Sequence, residues 1–330
     1  MRCLVLLLLA WPAFAAPSVR WIDSFGNVHR HELKAVVAES AKEVTVKTTE
    51  GKAVTVPLRR LLTLVREDDR RDDERALLRA REDVAAGLRL DQARPVLDRL
   101  AATGARPWIR EYAAAARAVL AERAGEKDAQ QRVDRFLAQH QDSRFLSAVH
   151  VAAARLRARD PDRKEPLEIV FAKAFDKIEE LDGPLLVRFG AVVELVRTSL
   201  VIDPKHSEVH TDFAGGLFNE KTKDVKDMAV HVIVKSCDAW IRLAHKVDTA
   251  KRVTALGRKP HGALVELSRL CKWSGHTLPE TRSDLHRELG LTKLACGDPA
   301  GARAELEKAR SLAPGRVRRE AAEAALARLE

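Results

Sequence analysis

The chain changes its hydrophobic rhythm near residue 70. Between residues 19 and 65 apolar positions recur every second residue: Val44, Val46 and Thr48 alternate with Thr45 and Lys47, and Val54 and Val56 resume the alternation after Glu50-Gly51. Alternation of this kind turns one face of a strand to a core, and a glycine between two such runs makes a turn, so a β-hairpin is predicted. Trp21-Ile22 and Leu33 to Val37 read as two further short strands. Pro57 ends the last strand because it cannot donate to a ladder, and Leu58 to Leu62 reads as a short helical turn. The outcome is a small, bent sheet of four or five strands.

From about Arg75 the period becomes helical. Leu77, Val84 and Leu88 share a face, Val96, Leu97 and Leu100 follow, and Trp108, Tyr112, Ala116 and Val119 keep the i, i+4, i+8, i+11 spacing of one helix. Gly125 interrupts the pattern. Val133, Phe136 and Leu137 belong to a helix ending near His140, and Leu146 to Arg157 to another. The β-branched run at 229–237, AVHVIVKSC, reads as a buried helix, with a strand as its alternative. Residues 66–75, REDDRRDDER, hold no apolar side chain and read as a charged linker or the exposed first turn of a helix. The arginines there neutralise the carboxylates, so no metal is expected.

The most regular stretch is 289–314, LGLTKLACGDPAGARAELEKARSLAP. Leu289-Gly290 allows close approach inside a first helix, Gly297 opens a turn, and Asp298 and Pro299 suit the cap and first position of a second helix. Ala302, Leu306 and Ala309 share that helix's inner face, Pro314-Gly315 stops it, and Val317 to Leu329 suits a terminal capping helix. This stretch resembles one tetratricopeptide repeat, a helix–turn–helix unit, although Lys293 stands where that family usually has an aromatic. The β region, through Trp21, Gly26, Ala35, Val44, Val46, Gly51-Lys52, Val54 and Val56-Pro57-Leu58, resembles the SH3-like small barrel called the Sla-type homology domain; Leu61-Leu62-Thr63 departs from its usual ending. Together the resemblances imply a mainly α fold, a small N-terminal SH3-like β-barrel followed by a tetratricopeptide-like α-helical repeat solenoid. The expected divisions are a leader at 1–16, the β domain at 17–65, the linker at 66–75 and the helical body at 76–330.

The leader reading rests on Arg2, the apolar run Cys3 to Ala10 and the small-x-small site Ala13-Phe14-Ala15, the pattern of a secretory signal peptide. Its apolar run is too short to span a bilayer, and no later run is long enough, so a periplasmic or secreted protein is expected. Removing Arg2 lowers the formal charge from +10 to +9. That balance favours anionic partners, a polymer or a membrane surface, but acids interleave with the bases and predict a solvated, mixed-charge helical surface. Cys237, Cys271 and Cys296 remain, an odd number with no CxxC pair. They read as buried helical thiols, with one bridge among them as the alternative.

Motifs for catalysis are absent: there is no GxSxG, HExxH or P-loop lysine. The one polar stretch with metal-compatible chemistry is 203–216, DPKHSEVHTDFAGG, where Asp203, His206, His210 and Asp212 could meet an ion; Ser207 stands where a general-base glutamate would follow the first histidine. A metal-dependent enzyme using this loop is therefore an alternative, and a plain loop turned by Gly215-Gly216 is the expectation. No catalytic residue, metal or cofactor is expected, and nucleic acid is not an expected partner, because aromatics interleaved with basic residues are missing; the densest basic cluster is Arg316, Arg318 and Arg319. The tetratricopeptide resemblance implies a protein or peptide partner bound by first-helix positions, here Asp284, Arg287, Leu291 and Leu294. Trp21 and Phe25 are a second candidate peptide patch, with Trp21 in the barrel core as the alternative. The expected function is an exported scaffold for protein–protein interaction, without catalysis.

Overall fold

A computed structural model describes residues 17–25, 27–40, 42–66, 72–104, 106–203, 206, 209, 211–212, 214–216, 218, 228–313 and 315–329. The expected leader at 1–16 lies outside the described residues. The protein is mainly helical with a small N-terminal antiparallel sheet. It forms two compact units, residues 1–195 with 223–227 and residues 196–222 with 228–330. The division between these units falls within the helical body.

In the first unit the strands are β1 (Ser18–Ile22), β2 (Val28–Glu39), β3 (Glu43–Thr48), β4 (Ala53–Pro57) and β5 (Leu61–Val65), in the spatial order β4-β3-β2-β1-β5. The β3–β4 hairpin pairs Val44 with Val56 and Val46 with Val54, as the alternation predicts, and turns at Gly51, whose φ of 87° suits glycine. The second strand is longer than the Leu33 to Val37 of the sequence reading. Its first part pairs with β1 (Trp21 opposite His29) and its second with β3 (Val36 opposite Val46), with register shifts after Leu33 and after Val36. Such irregularities bend a strand, which lets one strand serve two halves of a sheet. The helical turn stops at Arg60; Leu61 then pairs with Trp21 as part of β5. Val19, Val44, Val46, Val56 and Leu58 are fully buried at the centre of this module.

Helix α1 (Asp72–Ala86) begins four residues earlier than expected. Asp72, Asp73 and Glu74 form its first turn, where carboxylates complement the exposed backbone N–H groups. Arg66, at the other end of the expected linker, is buried. Next come α2 (Leu90–Thr103), α3 (Pro107–Ala124), α4 (Ala129–Gln139), α5 (Leu146–Arg159) and α6 (Leu167–Glu180). Helix α3 is shared between two clusters. Ile109, Ala113, Ala116 and Leu120 face α1 and α2, while Ala115 and Ala118 face α4 and α5. A helix packed on opposite sides needs small residues all round, hence its alanines. Part of the charge expected at the surface is internal here. Arg155 reaches Glu122 at 2.9 Å and Glu194 at 2.6 Å, and Arg117 reaches Glu126 at 2.8 Å, both arginines being buried.

Helix α7 (Leu185–Ile202) runs across the boundary between the units. The second unit continues with α8 (Met228–Ala255), α9 (His261–Trp273), α10 (Pro279–Ala295), α11 (Pro299–Leu312) and α12 (Arg316–Leu326). Residues 229–237 are helical, as read. Ala239, Leu243 and Val247 of α8 pack with Leu267 and Leu270 of α9 and Leu285 and Leu289 of α10. The hairpin of α10 and α11 follows the sequence reading closely. Asp298 Oδ1 accepts from the Gly301 N–H at 2.8 Å, Pro299 is the first helical residue, and Ala302, Leu306 and Ala309 are completely buried.

Candidate functional site

The β1–β2 turn presents an aromatic residue on a fastened loop. Asp23 Oδ1 accepts from the backbone N–H of Phe25 at 2.8 Å and of Asn27 at 2.9 Å. Asp23 Oδ2 accepts from Asn27 Nδ2 at 3.1 Å and lies 2.9 Å from His29 Nε2. These hydrogen bonds, led by those of His29 and Asn27, hold the Asp23 carboxyl below the usual carboxylate range. At the tip, Phe25 is 82% exposed. Trp21 is half-buried and packs against the β core, with its ring stacked on His29 at 5.0 Å and His31 at 5.4 Å. Trp21 is thus a border residue between core and surface, and Phe25 alone is fully presented. The sequence reading missed the two histidines; the β1–β2 pairing of Trp21 with His29 and Val19 with His31 puts all four on one face.

The module is seated on the helices of its own unit. Glu39, at the end of β2, accepts from Arg66 Nη2 at 2.7 Å and also pairs closely with Arg144, just before α5. The Arg66 guanidinium lies 4.7 Å above the ring of Trp108 on α3, a geometry in which the ring face attracts the cation.

The residues expected to line a groove on α10 are placed differently. Asp284 is 3% exposed; its carboxylate receives Arg287 Nη1 at 3.1 Å and Arg318 Nε of α12 at 3.2 Å. Arg287 also donates to Glu288 at 2.8 Å. Burial opposes ionisation of Glu288, yet Arg287 prevails and holds that carboxyl below its usual range. Arg318 in turn lies over the ring of Trp240 of α8, whose Nε1 donates to Thr281. Asp284 thus ties this helix to α12, and Arg287 is bonded to carboxylates of its own helix; Leu291 and Leu294 are half-buried. The same network withdraws Arg318 from the basic cluster proposed for an anionic surface.

Asp203 is buried, and His206 Nδ1 lies 3.0 and 3.1 Å from its two carboxylate oxygens. Asp212 is exposed, and His210 lies outside the described residues. The stretch read as a loop is helical at 209, 211–212, 214–216 and 218. Ala214 and Phe218, four residues apart and both buried, anchor one face, and this overrides the turn signal of Gly215-Gly216. Cys237, Cys271 and Cys296 are free thiols. Among the described residues no helix is long and apolar enough to cross a membrane.

No family model, curated protein or solved structure matches this chain.

Proposed function

We propose that the chain is an exported binding protein that holds a protein or peptide partner through its N-terminal β module, with the helices as a scaffold. The carrying observation is Phe25. Leaving a phenylalanine in water forgoes roughly 1.5–3 kcal/mol of burial, and here two backbone hydrogen bonds to Asp23 hold the loop that presents it. A fixed aromatic anchor loses little conformational freedom on binding, which is how such residues come to dominate interfaces. Trp21 and its stacked histidines supply the adjoining surface.

The finer fold reading belongs to the same proposal. The order β4-β3-β2-β1-β5, with a one-turn helix before β5, supports the SH3-like reading. Helical hairpins that start at residues 72, 107 and 146, and again at 279, support a tetratricopeptide-like series. Export is supported by the leader pattern around Arg2 and Ala13-Phe14-Ala15.

The test is photocrosslinking from position 25 in the mature chain within a bacterial envelope fraction, compared with a Phe25→Ala pull-down. A partner crosslinked at position 25 and lost with Phe25→Ala supports the assignment. The same proteins retained by the native chain and by Phe25→Ala would refute it.

A further inference from the structure

A second, separate site lies within the helical part of the second unit, in a cleft of about 600 Å³, a size common for small-molecule sites. Two helix faces line most of it, and Thr211 and Asp212 complete the wall. Asp238, Arg242 and Lys246 stand at i, i+4 and i+8 on α8, and Glu266, Arg269 and Trp273 at i, i+3 and i+7 on α9. Leu270 joins Trp273 at the apolar part of the lining, and Trp273 is 43% exposed. An indole kept half open on a helix otherwise anchored through Leu267 and Leu270 presents a flat apolar surface to whatever enters.

The polar walls are charge-balanced, with Asp212, Asp238 and Glu266 against Arg242, Lys246 and Arg269. Arg242 Nε lies 2.9 Å from Asp238, and Glu266 is shared by Arg269 at 3.2 Å and Lys246 at 3.9 Å. An anion brought to these cations would meet the carboxylates already beside them. A purely apolar ligand would strip water from at least five charged groups without replacing their hydrogen bonds. A ring that is apolar on one face and carries hydroxyls at its rim satisfies both demands: each hydroxyl donates to a carboxylate and accepts from a guanidinium, and the C–H face lies on the indole. We propose that this cleft binds a neutral sugar, with Trp273 as the stacking platform and Asp238, Arg242, Glu266 and Arg269 as the hydroxyl contacts.

The inference is independent of the Phe25 assignment, and the experiment separates the two. The full mature chain is labelled with 5-fluorotryptophan, and the Trp273 fluorine signal is assigned with Trp273→Phe. Maltotriose, cellotriose and tri-N-acetylchitotriose are titrated separately, with inorganic phosphate as the anionic probe. The expected result is a saturable shift of the Trp273 signal with at least one trisaccharide and none with phosphate. By calorimetry, Trp273→Ala should weaken that affinity about tenfold, Glu266→Gln should weaken it too, and Phe25→Ala should leave it unchanged. Circular dichroism checks that each variant is folded. Silence of the Trp273 signal toward all three sugars near their solubility limits overturns the proposal, as does a shift with phosphate alone.

Discussion

Gly290→Ala tests whether the α10–α11 hairpin depends on backbone closeness. A methyl group built on Gly290 would stand 2.8 and 2.9 Å from Cγ and Cδ2 of Leu306 and 3.1 Å from the Ala302 carbonyl oxygen. Leu306 is completely buried and has no open side to move toward, so the helices must separate or Leu306 must leave its rotamer. Such overpacking costs about 1–3 kcal/mol, whereas replacing a mid-helix glycine by alanine gains about 1 kcal/mol in propensity. The net expectation is a loss of roughly 1 kcal/mol, and a larger one for Gly290→Val. Hydrogen exchange of peptides from 279–312, with urea unfolding alongside, reads the local opening free energy. The decisive comparison is the same substitution in a Leu306→Ala background. With the crowding atoms gone, Gly290→Ala should become neutral or stabilising, giving a coupling energy above about 1 kcal/mol. Equal effects of Gly290→Ala in both backgrounds would refute the close-contact argument.

Removing the helix cap with Asp298→Ala should destabilise the same hairpin by about 1 kcal/mol, seen as faster exchange at the start of α11. Glu39→Ala takes the shared acceptor from Arg66 and Arg144, both largely buried; a loss of about 2–3 kcal/mol, read as a lower urea midpoint, is expected. His286 is buried and its pKa is held below 6.5, burial outweighing the Glu305 carboxylate 2.7 Å away. The unfolded chain therefore takes up this proton first, so His286 costs no stability above pH 6.5 and progressively more just below it; His286→Gln should flatten the fall in Tm as the pH drops below about 6.5. Burial pushes the thiols of Cys237 and Cys271 up to about 12, so iodoacetamide at neutral pH should alkylate Cys296 first in the native protein, read by peptide mass spectrometry.

Which features were legible in the sequence follows from the range of the interactions behind them. The β3–β4 hairpin and the α10–α11 turn are decided by neighbours: alternation at Val44 to Val56, a glycine at a positive φ, a side chain capping the third amide after it. All of these are written within a few residues. What the sequence left open depends on residues far apart. The burial of Asp284 depends on Arg318, which in turn lies over Trp240, both more than thirty positions away, and no local pattern encodes that meeting. The same reason divides the charged run: REDDRRDDER looks uniform, yet its first residue is committed to Glu39 and Trp108, while Asp72 and Asp73 open a helix, the alternative its sequence also allowed.

The two binding assignments differ in the same way. Phe25 is legible as a candidate because an aromatic in a polar turn is locally anomalous, and Asp23 two residues earlier supplies the fastening. The cleft was not singled out, because Asp238, Arg242 and Lys246 form an ordinary solvated helix face until α9 turns Glu266 and Trp273 toward them. A charged stripe at helical spacing has little meaning by itself; it gains meaning when a second stripe of matched charge and a half-open indole stand opposite. The physical difference also predicts a functional one. A single aromatic on a loop suits recognition of a large surface that can close over it, whereas balanced charges around a platform suit a small ring with many hydroxyls. If both assignments hold, Phe25→Ala and Trp273→Ala should separate the two activities cleanly, since the residues belong to different compact units.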